Sequence, residues 1–298
     1  MKQPEKNREL SGIKVTHPTR VLYPELGLTK EDIARYYVDV ADHLLPHVID
    51  KPLSIVRCPD GQSGACFYQK HLTAGMPDAI HPIRLKESGG YKQYVSVRDV
   101  DGLVALVQFG VLELHPWGCA PGKIETADRV VFDLDPDPVV QWPRVVAAAK
   151  EVRERLTAVG LQSFVKTTGG KGLHVVAPLS PPMPWKPVKA FTQAFAAQMA
   201  AEASEEFIAK SSKSARRGKI FIDYLRNDRG ATSVAPYSTR AKPGATVSMP
   251  LDWSELSART RSDSFDVGNV RQRLKRLKRD PWRNFFTLRQ TIDPKLFK

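Results

Sequence analysis

The stretch from Val130 to Pro138 constrains this chain more than any other, because an apolar run there ends in carboxylates. Val130, Val131 and Phe132 have the character of a strand entering a core. The strand continues through Asp133, Leu134 and Asp135 into Pro136-Asp137-Pro138. Strand side chains alternate, so Asp133 and Asp135 share one face while Leu134 takes the other. At ~3.3 Å per residue, the two aspartate Cα atoms lie roughly 7 Å apart. Two readings stand side by side. One is a strand closing in a polar turn, since Asp and Pro are ordinary turn residues. The other is a divalent-cation site. Like charges this close raise each other's pKa unless a cation neutralises them, and hard oxygen ligands suit Mg2+ or Mn2+. Two such ions ~3.5–4 Å apart can clamp the attacking and leaving oxygens of a phosphoryl transfer.

The charge balance narrows the partner. Lys and Arg exceed Asp and Glu enough to give a net charge of +13, with an isoelectric point near 9.7. That is more than solubility needs and points to a polyanion, with nucleic acid first. An anionic membrane surface comes second, with no apolar run near 18 residues and no lipidation signal to support it. Cys58, Cys66 and Cys119 are widely spaced with no C-x-x-C pair, so neither a zinc site nor a disulfide framework is expected, and the reducing cytoplasm is the default compartment. At 298 residues the chain is long enough for one large domain.

Residues 1–12 are expected to be a disordered lead, with 13–298 a single domain built from an N-terminal module (about 13–120) and a catalytic core (about 121–298). Thr29 is placed to cap a helix carrying Ile33, Tyr36, Tyr37, Val40 and Leu44 at helical spacing, ended by Pro46. Arg20 and Lys30 taken alone are solvated surface charges. Leu53 to Arg57 is a strand. Phe67-Tyr68 precedes Lys70-His71; these aromatics can be core or can stack on bases, and the residues alone favour core. Val111 to His115 alternates as a strand, and a lone His at its end is more often structural than a ligand.

A helical stripe runs from Val145 to Val159 and stops at Gly160. Lys166-Thr167-Thr168-Gly169-Gly170-Lys171-Gly172-Leu173-His174 then joins two strands. Its glycines, hydroxyls and Lys171 suit a phosphate-wrapping loop, although it is not a P-loop; a plain hairpin turn is the alternative. Pro181 to Pro187 is the best candidate for an internal linker. Lys213, Arg216, Arg217 and Lys219 form a basic loop ahead of a second apolar strand, Ile220-Phe221-Ile222, which delivers Asp223. A lone carboxylate in an apolar strand calls for a partner or a metal. Arg226, Arg229, Arg240 and Lys242 follow, either as an exposed loop or as a grip for phosphates.

Phe132-Asp133-Leu134-Asp135-Pro136, Thr168-Gly169-Gly170-Lys171-Gly172-Leu173-His174 and Phe221-Ile222-Asp223-Tyr224, in this order and with Ala235-Pro236-Tyr237-Ser238-Thr239-Arg240 beyond them, resemble the archaeo-eukaryotic primase superfamily. More narrowly, the chain resembles the polymerase domain of bacterial DNA ligase D, the non-homologous end-joining enzyme, from about His17 to Leu277.

The resemblance implies an α/β primase-polymerase fold, with a mixed, largely antiparallel sheet like an RNA-recognition motif and a packed N-terminal module. It implies a nucleotidyltransferase that fills gaps and adds templated or untemplated nucleotides, often ribonucleotides, at break ends. Asp133, Asp135 and Asp223 would be catalytic and hold two divalent ions, Mn2+ or Mg2+. His115, Thr168, Lys171, His174, Arg240 and Lys242 would bind the nucleoside triphosphate. Arg20, Lys30, Phe67, Tyr68 and Arg216 would bind DNA, the first two at a downstream 5′-phosphate. Three features depart from relatives: Tyr68 stands for a second Phe, Gly170 for a Ser, and Lys242 for an Arg. Implied partners are duplex ends, gapped DNA, the Ku end-binding protein and ligase or phosphoesterase domains, with the chain acting as a bacterial cytoplasmic, nucleoid-associated monomer. No Lys-x-Asp-Gly ligase motif is present, so joining would come from elsewhere. Two other readings remain. One is a non-catalytic module for 5′-phosphorylated ends. The other is an Asp-nucleophile phosphohydrolase, against which Pro136-Asp137-Pro138 argues.

Overall fold

The structure, a computed structural model, describes residues 8–293. It is a mixed α/β protein whose sheets are largely antiparallel, and its contacts divide into two units. Among the described residues no helix is long and apolar enough to cross a membrane.

The first unit comprises residues up to Pro116, Val234–Ser248 and Phe265–Arg276. Residues 8–12, expected within a disordered lead, instead form β1 (Arg8–Leu10), which pairs with β2 (Ile13–Val15) through a turn at Ser11-Gly12. Residues 1–7 lie outside the described residues. A second small pair joins β3 (Val21–Tyr23) to β4 (Leu28–Thr29). Thr29 caps α1 (Lys30–Asp39) as its sequence position predicts: its hydroxyl accepts from the Asp32 N–H while the Asp32 carboxylate accepts from the Thr29 N–H. The helix breaks at Val40, not at Pro46. Pro46 sits inside α2 (Ala41–Val48), where its missing N–H leaves a single intrahelical bond unmade.

Strands β5 (Leu53–Arg57), β6 (Phe67–Gln69), β7 (His81–Glu87) and β8 (Gly90–Ser96) join β9 (Val111–Pro116) in one sheet, with α3 (Val100–Gln108) capped by Asp99. The residues alone favoured a core role for Phe67 and Tyr68. Both are exposed, because β6 is an edge strand that pairs only with β5. The expectation of no disulfide is also overturned. The turn between β5 and β6 folds back and brings Cys58 and Cys66 to a Cα separation of 4.3 Å, and they are bonded; eight residues of spacing carried no signal of this.

The second unit holds Trp117–Ser233, Met249–Ser264 and the residues from Leu277 onward. Its sheet runs β14 (Phe207–Ile208), β15 (Ile220–Asp223), β11 (Lys123–Pro136), β13 (Leu173–Pro184), β12 (Phe164–Thr167) and β16 (Pro250–Leu251), with β10 (Cys119–Ala120) also on β11. Helices α4 (Trp142–Ala158) and α5 (Trp185–Glu202) pack against β11 and β13. Pro181 to Pro187 is no linker. Its first residues continue β13, and α5 begins at Trp185. A register shift between Ala127 and Arg129 accommodates the prolines, which cannot donate to a regular ladder. Helix α6 (Val267–Arg276) belongs to the first unit.

The two faces of β11 have different fates. Phe132 meets Phe195 of α5 at 4.4 Å between ring centroids, so the face shared with Leu134 looks onto helix. On the opposite face, Val131, Val176 and Phe164 are covered by Trp282 and Phe285, whose rings stack at 4.9 Å. The Trp282 indole N–H donates to the Val165 carbonyl at 3.0 Å and fixes that cover. Two residues further along the same face stands Asp133.

Candidate active site

Strand register builds the site of the second unit. Asp223 of β15 is opposite Asp133 of β11, Asp133 is opposite His174 of β13, and His174 is opposite Lys166 of β12. Four ionisable side chains therefore stand in one row across four strands, each ~4.8 Å from the next in the pairing direction. Asp135 lies two residues along β11 on the same face. The row is held from behind by Asn227, which is fully buried. Its amide accepts from the Val131 N–H and donates to the Val131 carbonyl, each at 2.7 Å, tying the turn after β15 onto β11.

Electrostatics follow from the row. Burial opposes charge on Asp133, but His174, Arg226 and Lys166 outweigh it and hold the carboxyl well below the usual carboxylate range. Burial, together with Lys166, lowers His174 to about 4 against the pull of Asp133, so the imidazole is neutral near pH 7. His174 Nε2 lies 3.4 Å from Asp133, and its buried Nδ1 has no hydrogen-bond partner. Burial raises Asp135, reinforced by the charge of Asp133; burial also raises Asp223, with Arg226 opposing.

Two arginines supply counter-charge. Arg226 bridges Asp133 at 3.2 Å and Asp223 at 2.9 Å, and Arg216 reaches Asp135 at 3.1 Å while its guanidinium lies 3.8 Å over the Phe221 ring. Among the described residues, no group of three or more His, Cys, Asp or Glu closes on one metal position. The donor chemistry nevertheless fits hard divalent cations. Three aligned carboxylates offer only oxygens, two are pushed towards protonation by burial first and by the charge of Asp133 as well, and both arginines are partly exposed.

The glycine loop closes on itself. The Thr168 hydroxyl donates to the Gly172 carbonyl at 3.0 Å and accepts from the Gly170 N–H at 3.2 Å, and the Ser262 hydroxyl donates to the same carbonyl at 2.7 Å. Thr168 is thus buried within the loop it shapes, while Lys171 is exposed at the tip. Gly172 lies so near β11 that an added Cβ would stand 1.9 Å from the Leu134 carbonyl oxygen.

The remaining candidates lie in the first unit. His115 is buried on β9, and its Nε2–H donates to Glu113 at 2.8 Å. Arg240 Nε donates to the same Glu113 oxygen at 2.9 Å, so these two candidates share one carboxylate. Lys242 is half-buried two residues on. Arg20 is exposed and paired with Asp60 at 2.7 Å. Lys30 is buried and donates to the Thr16 carbonyl at 2.8 Å, so it is not the solvated charge its sequence position suggests. Phe67 and Tyr68 stand exposed on β6, with the Arg57 guanidinium 5.8 Å from the Phe67 ring. Sequence reasoning missed Lys166, Asn227, Ser262 and Glu113. Only Glu113 left a signal, as a carboxylate two residues from a candidate histidine on an otherwise apolar strand.

The comparisons with known proteins agree with one another. The family model for the LigD primase-polymerase domain matches residues 29–282. The multifunctional non-homologous end joining protein LigD of Pseudomonas aeruginosa is 38% identical over 283 residues, covering 95% of this chain and 34% of that protein. Its namesake in Mycolicibacterium smegmatis is 32% identical, covering 82% of this chain and 32% of that protein. The bifunctional LigD of Bacillus subtilis is 29% identical, covering 89% and 43%. The chain therefore spans 32–43% of the length of these relatives. Among solved structures, the polymerase domain from Mycobacterium tuberculosis ligase D in complex with DNA matches with a TM-score of 0.86 at 30% identity, covering 92% of this chain and 98% of that one.

Proposed function

The chain belongs to the LigD primase-polymerase domain family, and on that premise we propose that it extends DNA primers from nucleoside triphosphates in the repair of double-strand breaks. The observation that carries this reading is the cross-strand row of Asp223, Asp133 and His174, with Asp135 beside it. It supports a hard-cation site next to a phosphate-binding loop, the combination that nucleotidyl transfer needs.

Asp133, Asp135 and Asp223 would hold two divalent ions, Mn2+ or Mg2+. Bound there, the metals would lower the pKa of the primer 3′-hydroxyl and neutralise charge on the phosphates. The protein's own groups do the rest. Arg226 and Arg216 keep the carboxylates compatible with one another before loading and release them by rotating outward. Lys171 at the loop tip meets phosphate oxygens as a point charge. Anionic phosphates would draw His174 towards its protonated form, in which both ring nitrogens donate. Lys166, buried opposite it, adds positive potential for the pyrophosphate leaving group. Thr168 acts by shaping the loop. His115, Arg240 and Lys242 would bind the nucleotide. Arg20, Lys30, Phe67, Tyr68 and Arg216 would bind DNA, with Arg20 and Lys30 serving a downstream 5′-phosphate. Ku and the joining domains of the longer relatives are the matching partners, and the bacterial cytoplasm is the matching compartment.

The test is primer extension across a gapped duplex bearing a downstream 5′-phosphate, with ribo- or deoxynucleotides and Mn2+ or Mg2+. Metal-dependent incorporation is expected in the wild type. Asp133→Ala and Asp223→Ala should abolish it while retaining most DNA affinity. Turnover in either variant would sink the assignment, and DNA binding without incorporation under every condition would favour a non-catalytic end-binding module.

A further inference from the structure

Glu113 is a buried carboxylate that the proposed chemistry does not use. It sits in the middle of β9, 4% exposed, among residues that are all buried. Both of its oxygens are engaged. One accepts from His115 Nε2 at 2.8 Å and from Arg240 Nε at 2.9 Å; the other accepts from the Ala241 backbone N–H at 2.8 Å. Glu113 and His115 are two apart on one strand, so they share a face, and Arg240 comes to Glu113 from 127 residues further along the chain.

Beyond its bond to the Ala241 N–H, Glu113 is not what holds the backbone that carries Arg240. The Tyr36 hydroxyl donates to the Tyr237 carbonyl at 2.8 Å, and the Tyr23 hydroxyl donates to the Arg240 carbonyl at 2.8 Å. The Tyr37 hydroxyl meets Thr239 Oγ1 at 3.0 Å, and the Ser238 hydroxyl accepts from the Leu114 N–H at 2.9 Å. Four side chains thus anchor residues 237–240. What Glu113 adds, besides its bond to the Ala241 N–H, is the orientation of two side chains. An ionised carboxylate only accepts, so its contact with His115 requires the proton on Nε2 and fixes the tautomer and the plane of the ring. Its contact with Arg240 is made through Nε, which sets the plane of the guanidinium. Burial alone would expel such an acid, yet the three donors hold it ionised.

We propose that Glu113 is the positioning residue for nucleotide binding, acting through His115 and Arg240 by fixing the tautomer of one and the fork direction of the other. The substrate in this statement rests on the proposed function; the coupling among the three residues does not.

The experiment is a double-mutant cycle read in equilibrium binding of a nucleoside triphosphate with Mn2+, without DNA or turnover. Glu113→Gln should weaken binding about tenfold, the change expected when a charge-assisted hydrogen bond that orients a binding side chain is lost. In a His115→Ala/Arg240→Ala background the same substitution should change nothing further, because its effect passes through those side chains. A loss of equal size in both backgrounds, or none in either, would overturn the proposal. A measurement on the wild-type protein guards against a variant that fails to fold. The nitrogen shifts of His115, assigned by loss of its signals in His115→Gln, should show Nε2 protonated; an Nδ1–H ring would overturn the proposal on its own. Failure of the functional reading would appear separately, as wild-type protein that incorporates no nucleotide whichever way the cycle falls.

Discussion

Replacing Gly172 with Ala is the smallest change that should disable the carboxylate row without touching a charge. An added Cβ would lie 1.9 Å from the Leu134 carbonyl oxygen, 3.0 Å from the Leu134 carbonyl carbon and 3.3 Å from Pro136 Cδ. All three belong to backbone or a proline ring between and beside Asp133 and Asp135, so no flexible side chain can turn away. Ordinary contact begins near 3.4 Å, so the loop and β11 would have to part by roughly 1.5 Å. Overpacking of this kind costs about 1–3 kcal/mol. For a protein of this size that lowers the melting temperature by roughly 2–12 °C. The larger effect is on rate. The loop carries Lys171, and the strand carries Asp133 and Asp135, so the separation moves the proposed phosphate-binding and metal-binding groups apart. A misplacement of about 1 Å can cost on the order of 10²-fold. The assays are thermal unfolding and steady-state primer extension. Gly89→Ala serves as control, because nothing lies within 4 Å of its Cβ position. If Gly172→Ala melts and turns over like the wild type, or if the control loses as much, the close approach of loop and strand is not what aligns the site.

Other consequences can be checked with the same assays. Glu113 is affected first by burial, which raises its pKa, but His115, Arg240 and the Ala241 N–H prevail and bring it from 4.5 to about 2. Its folded pKa is depressed, so its stabilisation is complete above pH 4.5 and is lost as pH falls towards 2, about 3 kcal/mol in all. Urea titrations between those limits should show a shallower acid loss in Glu113→Gln; an unchanged slope would refute the assignment. Arg226→Gln removes the cation between Asp133 and Asp223. The metal-free variant should melt below the wild type and gain more on adding Mn2+, since a metal relieves the exposed repulsion; equal gains in both proteins would contradict this. Trp282→Ala should cost about 3–5 kcal/mol by uncovering Val131, Phe164 and Val176, a loss measurable by denaturant unfolding.

Much of the site was legible because it depends on local rules. Alternation along one strand puts Asp133 and Asp135 on one face whatever the rest of the chain does. The capping residue Thr29, the stripe of α4 and the glycine loop before His174 are likewise local patterns. Where reasoning from the residues failed, the deciding fact was a neighbour distant in sequence. Phe67 and Tyr68 are exposed because β6 lies at a sheet edge, which its own three residues do not encode. Pro181 to Pro184 stays in a strand because β13 itself bulges there and resumes its pairing with β11 beyond the bulge. Cys58 and Cys66 bond because a hairpin folds them together.

By itself, the sequence determined the inventory: three carboxylates on apolar strands, a cationic glycine loop, and motifs specific enough to resemble one family. Only the tertiary structure decided what each group faces. Register between strands separated by tens of residues places Asp223, Asp133, His174 and Lys166 in one row. Long-range packing gives Arg216 to Asp135, and Glu113 to Arg240. The reason is physical: a strand's own period fixes the direction of a side chain, whereas its charge state and partner depend on burial and on the strand beside it, and these exist only after the chain has folded.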